Sequence, residues 1–277
     1  MPQRTAVKSA IGPLLREWRS RRRLSQLDLS IEADISARHL SFIETGRSRP
    51  SRELVLRLAQ TLDVPMREQN QLLIAAGFAP EFGERSLDDP DLAPFSAGID
   101  LVLSSHDPYP CLVVDRSWNL MRANRGVGVL LSQIPEDAPA RLLYPPINVL
   151  RLSLHPLGLS SRIVNLSQWR AHVLGRLGRE AATSNSAQLR DLFDELMEYP
   201  GGLDAESIEG VAIPLILRTD GGAELEFVSM VSTFGTAHDL TLAELSIETF
   251  LPANAQTADA MRQLVGEESP LSGESGR

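Results

Sequence analysis

The segment that most constrains the fold is residues 24–50, where two short amphipathic patterns follow each other closely. Each pattern begins after a serine, Ser25 or Ser36, whose hydroxyl can accept a hydrogen bond from a free amide in the first turn of a helix. The apolar residues that follow recur at helical spacing. The pattern therefore predicts two helices, over 26–33 and 37–45, that meet at a sharp corner.

The end of the second helix carries its own signals. Gly46 can adopt the left-handed conformation that ends many helices, and Pro50 keeps the chain from resuming the same helix. Two short helices joined by such a turn form a helix-turn-helix motif, which presents its second helix to the major groove of DNA.

Four short motifs lie in this region: Leu24-Ser25-Gln26, Ile35-Ser36, Leu40-Ser41 and Ile43-Glu44-Thr45-Gly46-Arg47. They resemble the Cro/CI-type, or XRE, helix-turn-helix family over about residues 11–76. The resemblance implies a five-helix domain, for which the sequence offers 13–22, 26–33, 37–45, 52–62 and 66–76. It also implies that 37–45 is the recognition helix, with its N-terminal residues at the base edges.

The resemblance assigns individual contacts with DNA. Base contacts fall to Ala37, Arg38, Ser41 and Phe42, and backbone contacts to Gln26, His39, Arg47, Ser48 and Arg49. The planar guanidinium of Arg38 suits O6 and N7 of guanine, whereas the alternative is an exposed arginine that touches only phosphate. Phe42 can contact a thymine methyl group or serve as a partly buried packing residue.

Glu44 needs a partner, because an unpaired carboxylate in a DNA-facing segment would repel phosphate. The resemblance places Arg19 beside it and implies a structural ion pair. The alternative is a solvated glutamate near a helix C-terminus.

The charge distribution divides the chain. Residues 1–80 contain 13 Lys and Arg against 8 Asp and Glu, a net charge of +5, while the remainder contains 14 against 28, a net charge of −14. The chain is acidic overall but basic in the region expected to meet DNA.

Length and composition bound the other possibilities. The 277 residues, 43% of them hydrophobic, suit about two domains. A single cysteine, Cys111, and the lack of a signal-peptide core or a membrane-length apolar run indicate a soluble cytoplasmic protein with no membrane association. Nucleophile-elbow, phosphate-loop and dinucleotide motifs are missing and the histidines lack metal-ligand spacing, so we expect neither an enzyme nor a metal or other cofactor site.

Turn-forming and acidic residues gather between Gly77 and Pro94, which is linker composition. We therefore predict a DNA-binding domain over 11–78, a linker over 79–94, a second domain over 95–266 and a disordered tail over 267–277. The second domain opens with a helix over 95–105 and strand patterns over 111–115 and 118–123, continues with helices, and closes with strand patterns over 211–218, 224–233 and 245–251. This order predicts an α+β protein whose second domain is PAS-like, with a five-stranded antiparallel sheet and helices.

Further motifs follow in the second domain: Pro108-Tyr109-Pro110, Val113-Val114-Asp115, Trp118-Asn119-Leu120, Ala123-Asn124-Arg125, Asn148-Val149-Leu150-Arg151-Leu152, Leu154-His155-Pro156 and Trp169-Arg170-Ala171-His172. In this order they resemble the C-terminal ligand-binding domain of MmyB-like regulators, over about residues 91–252. The resemblance implies a transcription factor whose PAS-like pocket binds a small apolar molecule, such as a fatty acid.

Two groups of polar residues are candidates for that pocket. Trp169, His172 and Arg176 fall at i, i+3 and i+7, so one helical face can offer an aromatic wall, a hydrogen-bonding ring and a cation for a carboxylate. The alternative is a core tryptophan, a satisfied buried histidine and an exposed arginine. Arg151 and His155, at i and i+4, form a second candidate pair with the same alternative. The ordinary core is expected to include Met121, Leu152 and Phe227.

These patterns predict a sequence-specific transcriptional regulator that binds a double-stranded DNA operator as a homodimer and senses a small apolar ligand. The alternative is a DNA-binding, antitoxin-like adaptor whose C-terminal domain binds a protein partner. A lipid released on denaturation would favour the sensor, and a stoichiometric protein partner would favour the adaptor.

Overall fold

A computed structural model describes residues 10–184, 186–204, 213–235 and 239–267. These residues form two compact units that divide between Arg85 and Ser86, and the first unit also includes residues 239–243. Except for residue 267, the predicted tail lies outside the described residues. None of the described helices combines the length and the apolar character that crossing a membrane requires.

The first unit begins with five helices, each within two residues of its predicted range. They are α1 (Ile11–Arg21), α2 (Gln26–Glu32), α3 (Ala37–Glu44), α4 (Arg52–Thr61) and α5 (Met66–Ala76). The predicted all-helical N-terminal domain is confirmed.

Serine caps set where α2 and α3 begin. Ser25 Oγ accepts from the backbone N–H of Asp28 at 3.1 Å, and the Asp28 carboxylate accepts from the backbone N–H of Ser25 at 2.8 Å, which is a full capping box. Ser36 Oγ accepts from the backbone N–H of His39 at 3.1 Å. After α3, Gly46 adopts the predicted left-handed conformation at φ 74°.

Helices α1 and α3 pack unusually closely. Ile11, Leu15, Leu40 and Ile43 are fully buried in the core that they share. Between them, Gly12 leaves room for the end of α3, since a Cβ at this position would lie only 2.5 Å from the backbone oxygen of Glu44. The lack of a side chain at Gly12 therefore sets the distance between the two helices.

The carboxylate of Glu44 lies in the same contact and is fully enclosed. Its side chain has 0% exposure, and it accepts hydrogen bonds from Arg19 Nε at 2.7 Å, Arg19 Nη2 at 3.0 Å, Gln26 Nε2 at 2.8 Å and Arg16 Nε at 3.4 Å. Burial opposes ionisation, but the hydrogen bonds from Arg19 and Gln26 outweigh it and hold the pKa of Glu44 below its usual range. The structure thus brings Arg19 and Glu44 together and joins α1, α2 and α3 through one charge.

The remaining elements include a sheet and eight helices. In chain order they are α6 (Ala93–His106), β1 (Cys111–Val114), β2 (Leu120–Ala123), α7 (Arg125–Leu131), α8 (Ala140–Leu143), α9 (Val149–Leu154), α10 (Leu166–Ser184), α11 (Ala187–Glu198), β3 (Leu215–Arg218), β4 (Glu224–Thr233), α12 (Leu240–Ala243), β5 (Ser246–Pro252) and α13 (Ala255–Glu267). All of them except α12 belong to the second unit. Short 3₁₀ turns occur at Pro90–Leu92 and Leu159–Arg162.

The five strands form one antiparallel sheet in the order β2-β1-β5-β4-β3. The last strand in the chain therefore lies at the centre, between a pair of strands that precede the inserted helices and a hairpin that follows them. This arrangement confirms the predicted α+β fold class and the PAS-like domain. Of the strand pattern predicted over 211–218, residues 211 and 212 lie outside the described residues.

One helix of this unit was not predicted, and one prediction was wrong. Helix α13 packs against the core chiefly through Met261 and Val265. Met121 was expected in the core but is 44% exposed, because β2 is an edge strand whose alternate residues face outwards. Leu152 and Phe227 are buried as expected.

The segment after α5 has fixed contacts within the first unit, although its composition indicates a linker. The Asn70 side chain donates to the backbone oxygen of Phe82 at 2.8 Å and accepts from the backbone N–H groups of Glu81 and Phe82 at 2.9 and 3.1 Å. The backbone N–H of Leu240, at the start of α12, donates to the oxygen of Gly83 at 3.0 Å. The turn-forming residues after α5 therefore belong to a segment that defined hydrogen bonds hold in place.

Replacing Gly12 with alanine should destabilise the first unit, because the added methyl group meets a backbone carbonyl that no side-chain rotation can move. We expect a loss of about 1–3 kcal/mol in the free energy of unfolding, measured by urea denaturation followed by circular dichroism. Gly98→Ala in α6 is the matched control, since among the described residues the added Cβ meets no atom within 4 Å beyond its own helix backbone, and it should be neutral or slightly stabilising. Equal losses in the two variants would contradict the close contact.

Arg19→Leu should lower the free energy of unfolding by about 3 kcal/mol, because it leaves the buried Glu44 carboxylate with weaker partners. The double variant Arg19→Leu/Glu44→Leu should lose less than Arg19→Leu alone, since no stranded charge remains. The exposed pair Arg218–Glu224 provides a control, in which Arg218→Leu should cost under about 1 kcal/mol. Additive losses from the two substitutions at the buried pair would show that the charges are not coupled.

Candidate DNA-binding surface and ligand cavity

Helix α3 presents a basic and aromatic face to solvent. Arg38 is exposed near the start of the helix, and Phe42, one turn later, is half-buried. The guanidinium carbon of Arg38 lies 5.3 Å from the centroid of the Phe42 ring, and that of Arg47 lies 5.9 Å from it. The ring therefore lies between two cations on one surface, at distances typical of cation–π contacts.

Three arginines around α3 keep their guanidinium groups available. Arg38, Arg47 and Arg49 are exposed, and within the described part of the chain none of the three forms an ion pair or a side-chain hydrogen bond. Arg16 and Arg19, in contrast, bind Glu44. Because the only carboxylate at the end of α3 is already paired inside the domain, the outer cations can neutralise phosphate.

The other predicted DNA-contacting residues lie on the same surface elements. Ala37, His39 and Ser41 are half-buried residues of α3. In the turn that follows, the backbone N–H groups of Arg47 and Ser48 both donate to the oxygen of Phe42, at 2.7 and 3.1 Å, and this fixes the turn against the helix. Gln26 begins α2 and uses its amide to brace Glu44.

The second unit contains a mainly apolar cavity between one face of the sheet and helices α7, α9 and α10. The volume that the centre of a water-sized molecule can occupy in it is about 80 Å³. Its walls are formed by Leu112, Trp118, Leu120, Val127, Leu130, Leu131, Val149, Leu150, Leu152, Ser153, Leu159, Trp169, His172, Val173, Arg176, Leu215, Glu248 and Phe250. Apolar walls with a few polar side chains are typical of small-molecule sites.

Trp169, His172 and Arg176 all line this cavity. The rings of Trp169 and His172 stack with centroids 5.5 Å apart, and Trp169 Nε1 donates to Ser153 Oγ at 3.0 Å. Burial and the nearby Arg176 and Arg179 lower the pKa of His172 below its ordinary value, so the neutral ring is favoured. The face thus carries an aromatic wall, a neutral imidazole and a cation.

Arg151 and His155 do not reach the cavity. Arg151 Nη2 lies 2.8 Å from the Glu195 carboxylate, and the His155 ring packs edge-on against Tyr199 with centroids 5.2 Å apart. Their neighbours in α9, such as Leu152 and Ser153, line the cavity instead. The spacing i, i+4 correctly places the two residues on one face, but that face is turned away from the cavity.

Three polar or aromatic residues of the cavity region were missed by sequence reasoning. Glu248 is only 7% exposed and lines the cavity from β5, and Trp118 lines it from the turn between β1 and β2. Glu180 supports them from α10, where it accepts from Trp118 Nε1 at 2.9 Å and from Arg176 Nε at 3.0 Å. The i, i+4 spacing of Arg176 and Glu180 was a usable signal, whereas a lone glutamate in a strand pattern gave none.

The described residues contain no group of three or more His, Cys, Asp or Glu side chains placed to hold a metal ion. Cys111 is fully buried in β1, and burial, together with the nearby Asp107, raises the pKa of its thiol to about 11. A thiol in this state is a packing group and a poor nucleophile.

Comparisons with known proteins agree with this architecture. The sequence model of the MmyB-like transcription regulator ligand binding domain matches residues 95–264, and that of a helix-turn-helix domain matches residues 10–72. No curated protein matches the chain. Among solved structures, the clp gene regulator ClgR from C. glutamicum is 27% identical and covers 25% of this chain and 87% of its own, with a TM-score of 0.23. The restriction-modification controller protein C.AhdI from Aeromonas hydrophila is 31% identical and covers 22% of this chain and 92% of its own, with a TM-score of 0.21.

The ligand-binding-domain match alone spans more than half of the 277 residues, and the helix-turn-helix match accounts for the first five helices. Both families are domains of transcription regulators and neither is an enzyme family. The chain therefore belongs to the MmyB-like transcription regulators, DNA-binding proteins that carry a ligand-binding domain behind a helix-turn-helix domain.

Proposed function

We propose that this regulator reads a specific DNA operator with α3 and alters that binding when a small, mainly apolar ligand occupies the cavity of the second unit. The observation that best supports the DNA-binding part is the set of exposed arginines Arg38, Arg47 and Arg49 around α3, which have no carboxylate partner among the residues that the structure describes. The observation that best supports the sensing part is the apolar cavity itself.

The residues around α3 divide between reading bases and binding the DNA backbone. Ala37, Arg38, Ser41 and Phe42 lie on α3 and are assigned to base edges, with the Arg38 fork directed at guanine and Phe42 at a thymine methyl group. Gln26, His39, Arg47, Ser48 and Arg49 are assigned to the sugar-phosphate backbone, where they set the register of the helix in the groove. The cation–π contact between Arg38 and Phe42 would hold the guanidinium of Arg38 in place before DNA binds.

A homodimer would place two such helices about one DNA turn apart on a near-palindromic operator. A ligand can change operator affinity only if it binds more tightly to one arrangement of the dimer than to the other. A fatty acid, which the family resemblance suggests, would place its chain against the leucines and valines of the cavity and its head group at the polar end, which Arg176 and Glu248 line.

Arg38→Ala should abolish discrimination between the operator and an operator with a mutated half-site, because it removes the proposed base-reading fork. The operator is first selected from random duplexes with the full-length protein, and both affinities are then measured by gel shift, with an expected loss of about 1–3 kcal/mol in discrimination. Arg47→Ala should weaken both complexes equally and reduce the slope of log affinity against log salt by about one.

Arg218→Ala, an exposed arginine of β3, is the control and should leave both affinities unchanged. Equal loss of discrimination in the Arg38 and Arg47 variants would contradict the division of roles. No association with any duplex at low salt would contradict the DNA-binding function as a whole.

Val149→Trp should block the cavity while preserving the fold, because Val149 lines the cavity and is only half-buried. Native mass spectrometry of the purified wild-type chain should detect a bound small molecule that is lost in this variant. Leu101→Trp, at a position 67% exposed in α6, is the control and should retain the ligand. Purification of the wild type with a stoichiometric protein and no small molecule would instead favour the antitoxin-like adaptor.

A further inference from the structure

Glu248 is a buried carboxylate inside an apolar cavity. It lies on the central strand β5, opposite Leu112 of β1 and Val231 of β4, and shares the cavity wall with Leu112 and Phe250. Only 7% of the residue is exposed. A glutamate in such a place is costly unless a partner compensates for its lost hydration.

The compensation within the chain is incomplete. Arg176 Nη1 lies 3.6 Å from Glu248 Oε1, which is too far for a good hydrogen bond. Among the described residues the Glu248 carboxylate accepts no hydrogen bond. Its oxygens therefore remain acceptors that a molecule in the cavity can use.

Arg176, the cation expected to bind a ligand carboxylate, is already engaged. Its Nε donates to Glu180 Oε1 at 3.0 Å, and its guanidinium carbon lies 4.2 Å from the centroid of the Trp118 ring. Trp118 Nε1 in turn donates to the second oxygen of Glu180. At the polar end of the cavity, Arg176 and Glu248 lie in the wall and Glu180 lies behind Arg176. These three groups carry a net negative charge when both carboxylates are ionised.

We propose that Glu248 selects the polar end of the ligand, so that the cavity takes an amphiphile whose head group donates a hydrogen bond, such as an amine, a hydroxyl or a protonated acid, and disfavours an ionised carboxylate. The proposal rests on the ligand-binding function assigned to this cavity. A donor head group supplies the hydrogen bond that Glu248 lacks, whereas an anion would add a third negative charge beside Glu180.

The protonation of Glu248 makes this selection dependent on pH. Burial raises the pKa of Glu248 to about 7, with Arg176 opposing and Glu180 assisting the rise. The facing residues of β1 and β4, Leu112 and Val231, carry no charge, and the lowered pKa of His172 keeps that ring neutral down to a lower pH than usual. An amine should therefore bind ionised Glu248, whose fraction increases as pH rises. A carboxylate should bind protonated Glu248, whose fraction increases as pH falls.

The test compares dodecylamine, dodecanol and dodecanoate, below their micellar concentrations, by calorimetric titration of the full-length protein at about pH 6 and about pH 8. With a pKa of about 7 for Glu248, dodecylamine affinity should rise about tenfold between these pH values and dodecanoate affinity should fall about tenfold. Dodecanol should change little. Val149→Trp should weaken all three probes, which places them in the cavity.

Glu248→Gln should remove both pH dependences, while Glu198→Gln, an exposed glutamate of α11, should leave them intact. Dodecanoate that binds more tightly than dodecylamine at both pH values in the wild type would overturn the proposal without disturbing the cavity as a ligand site. The proposal would also be overturned if, in Glu248→Gln, dodecylamine affinity still rose and dodecanoate affinity still fell with pH. Failure of all three probes to bind would overturn the ligand site itself, and the selection by Glu248 with it. If the Glu248→Gln variant does not fold, the pH dependence of the two affinities in the wild type still tests the proposal.

Discussion

The buried carboxylate of Glu44 is the interaction on which the first unit depends. A charge with no exposure must be compensated inside the protein, and here Arg19, Gln26 and Arg16 provide the compensation from α1 and α2. The same carboxylate ends α3, so satisfying it determines where α3 lies. The pairing also keeps this negative charge inside the domain, so that the exposed arginines of α3 and its turn, which have no ion-pair partner in the described part of the chain, can contact phosphate.

The two buried glutamates of this protein illustrate opposite uses of the same side chain. Glu44 accepts hydrogen bonds from three side chains, its pKa is lowered, and it fixes the geometry of helices. Among the described residues Glu248 has one distant cation, its pKa is raised, and it borders a cavity. A satisfied buried charge makes a structure rigid, whereas an unsatisfied one beside empty space provides an acceptor for a ligand. The contrast explains why the first belongs to the scaffold and the second to the proposed sensing site.

Much of the fold could be predicted because it depends on local chemistry. Serine caps, Gly46 and the apolar period of α2 and α3 act within a few residues, and α5 and β4 match their predicted ranges at both ends. Helix α13 and the exposed Met121 could not be predicted, because the first depends on what the sheet offers as a packing surface and the second on which strand lies at the edge. Trp169, His172 and Arg176 line the cavity, whereas Arg151 and His155 lie outside it beside Glu195 and Tyr199, because spacing does not say which way a face points.

The sequence by itself determined the class of protein, since a helix-turn-helix pattern and the ordered motifs behind it depend on short-range spacing that a chain carries with it. The tertiary structure decided the state of each charge. Whether Arg176 is free to hold an anion depends on Glu180, one turn along the same helix, and on Glu248, 72 positions further along the chain. Only folding brings β5 beside α10 and removes water from between them. The strength of an electrostatic interaction depends both on the distance between the charges and on the water around them.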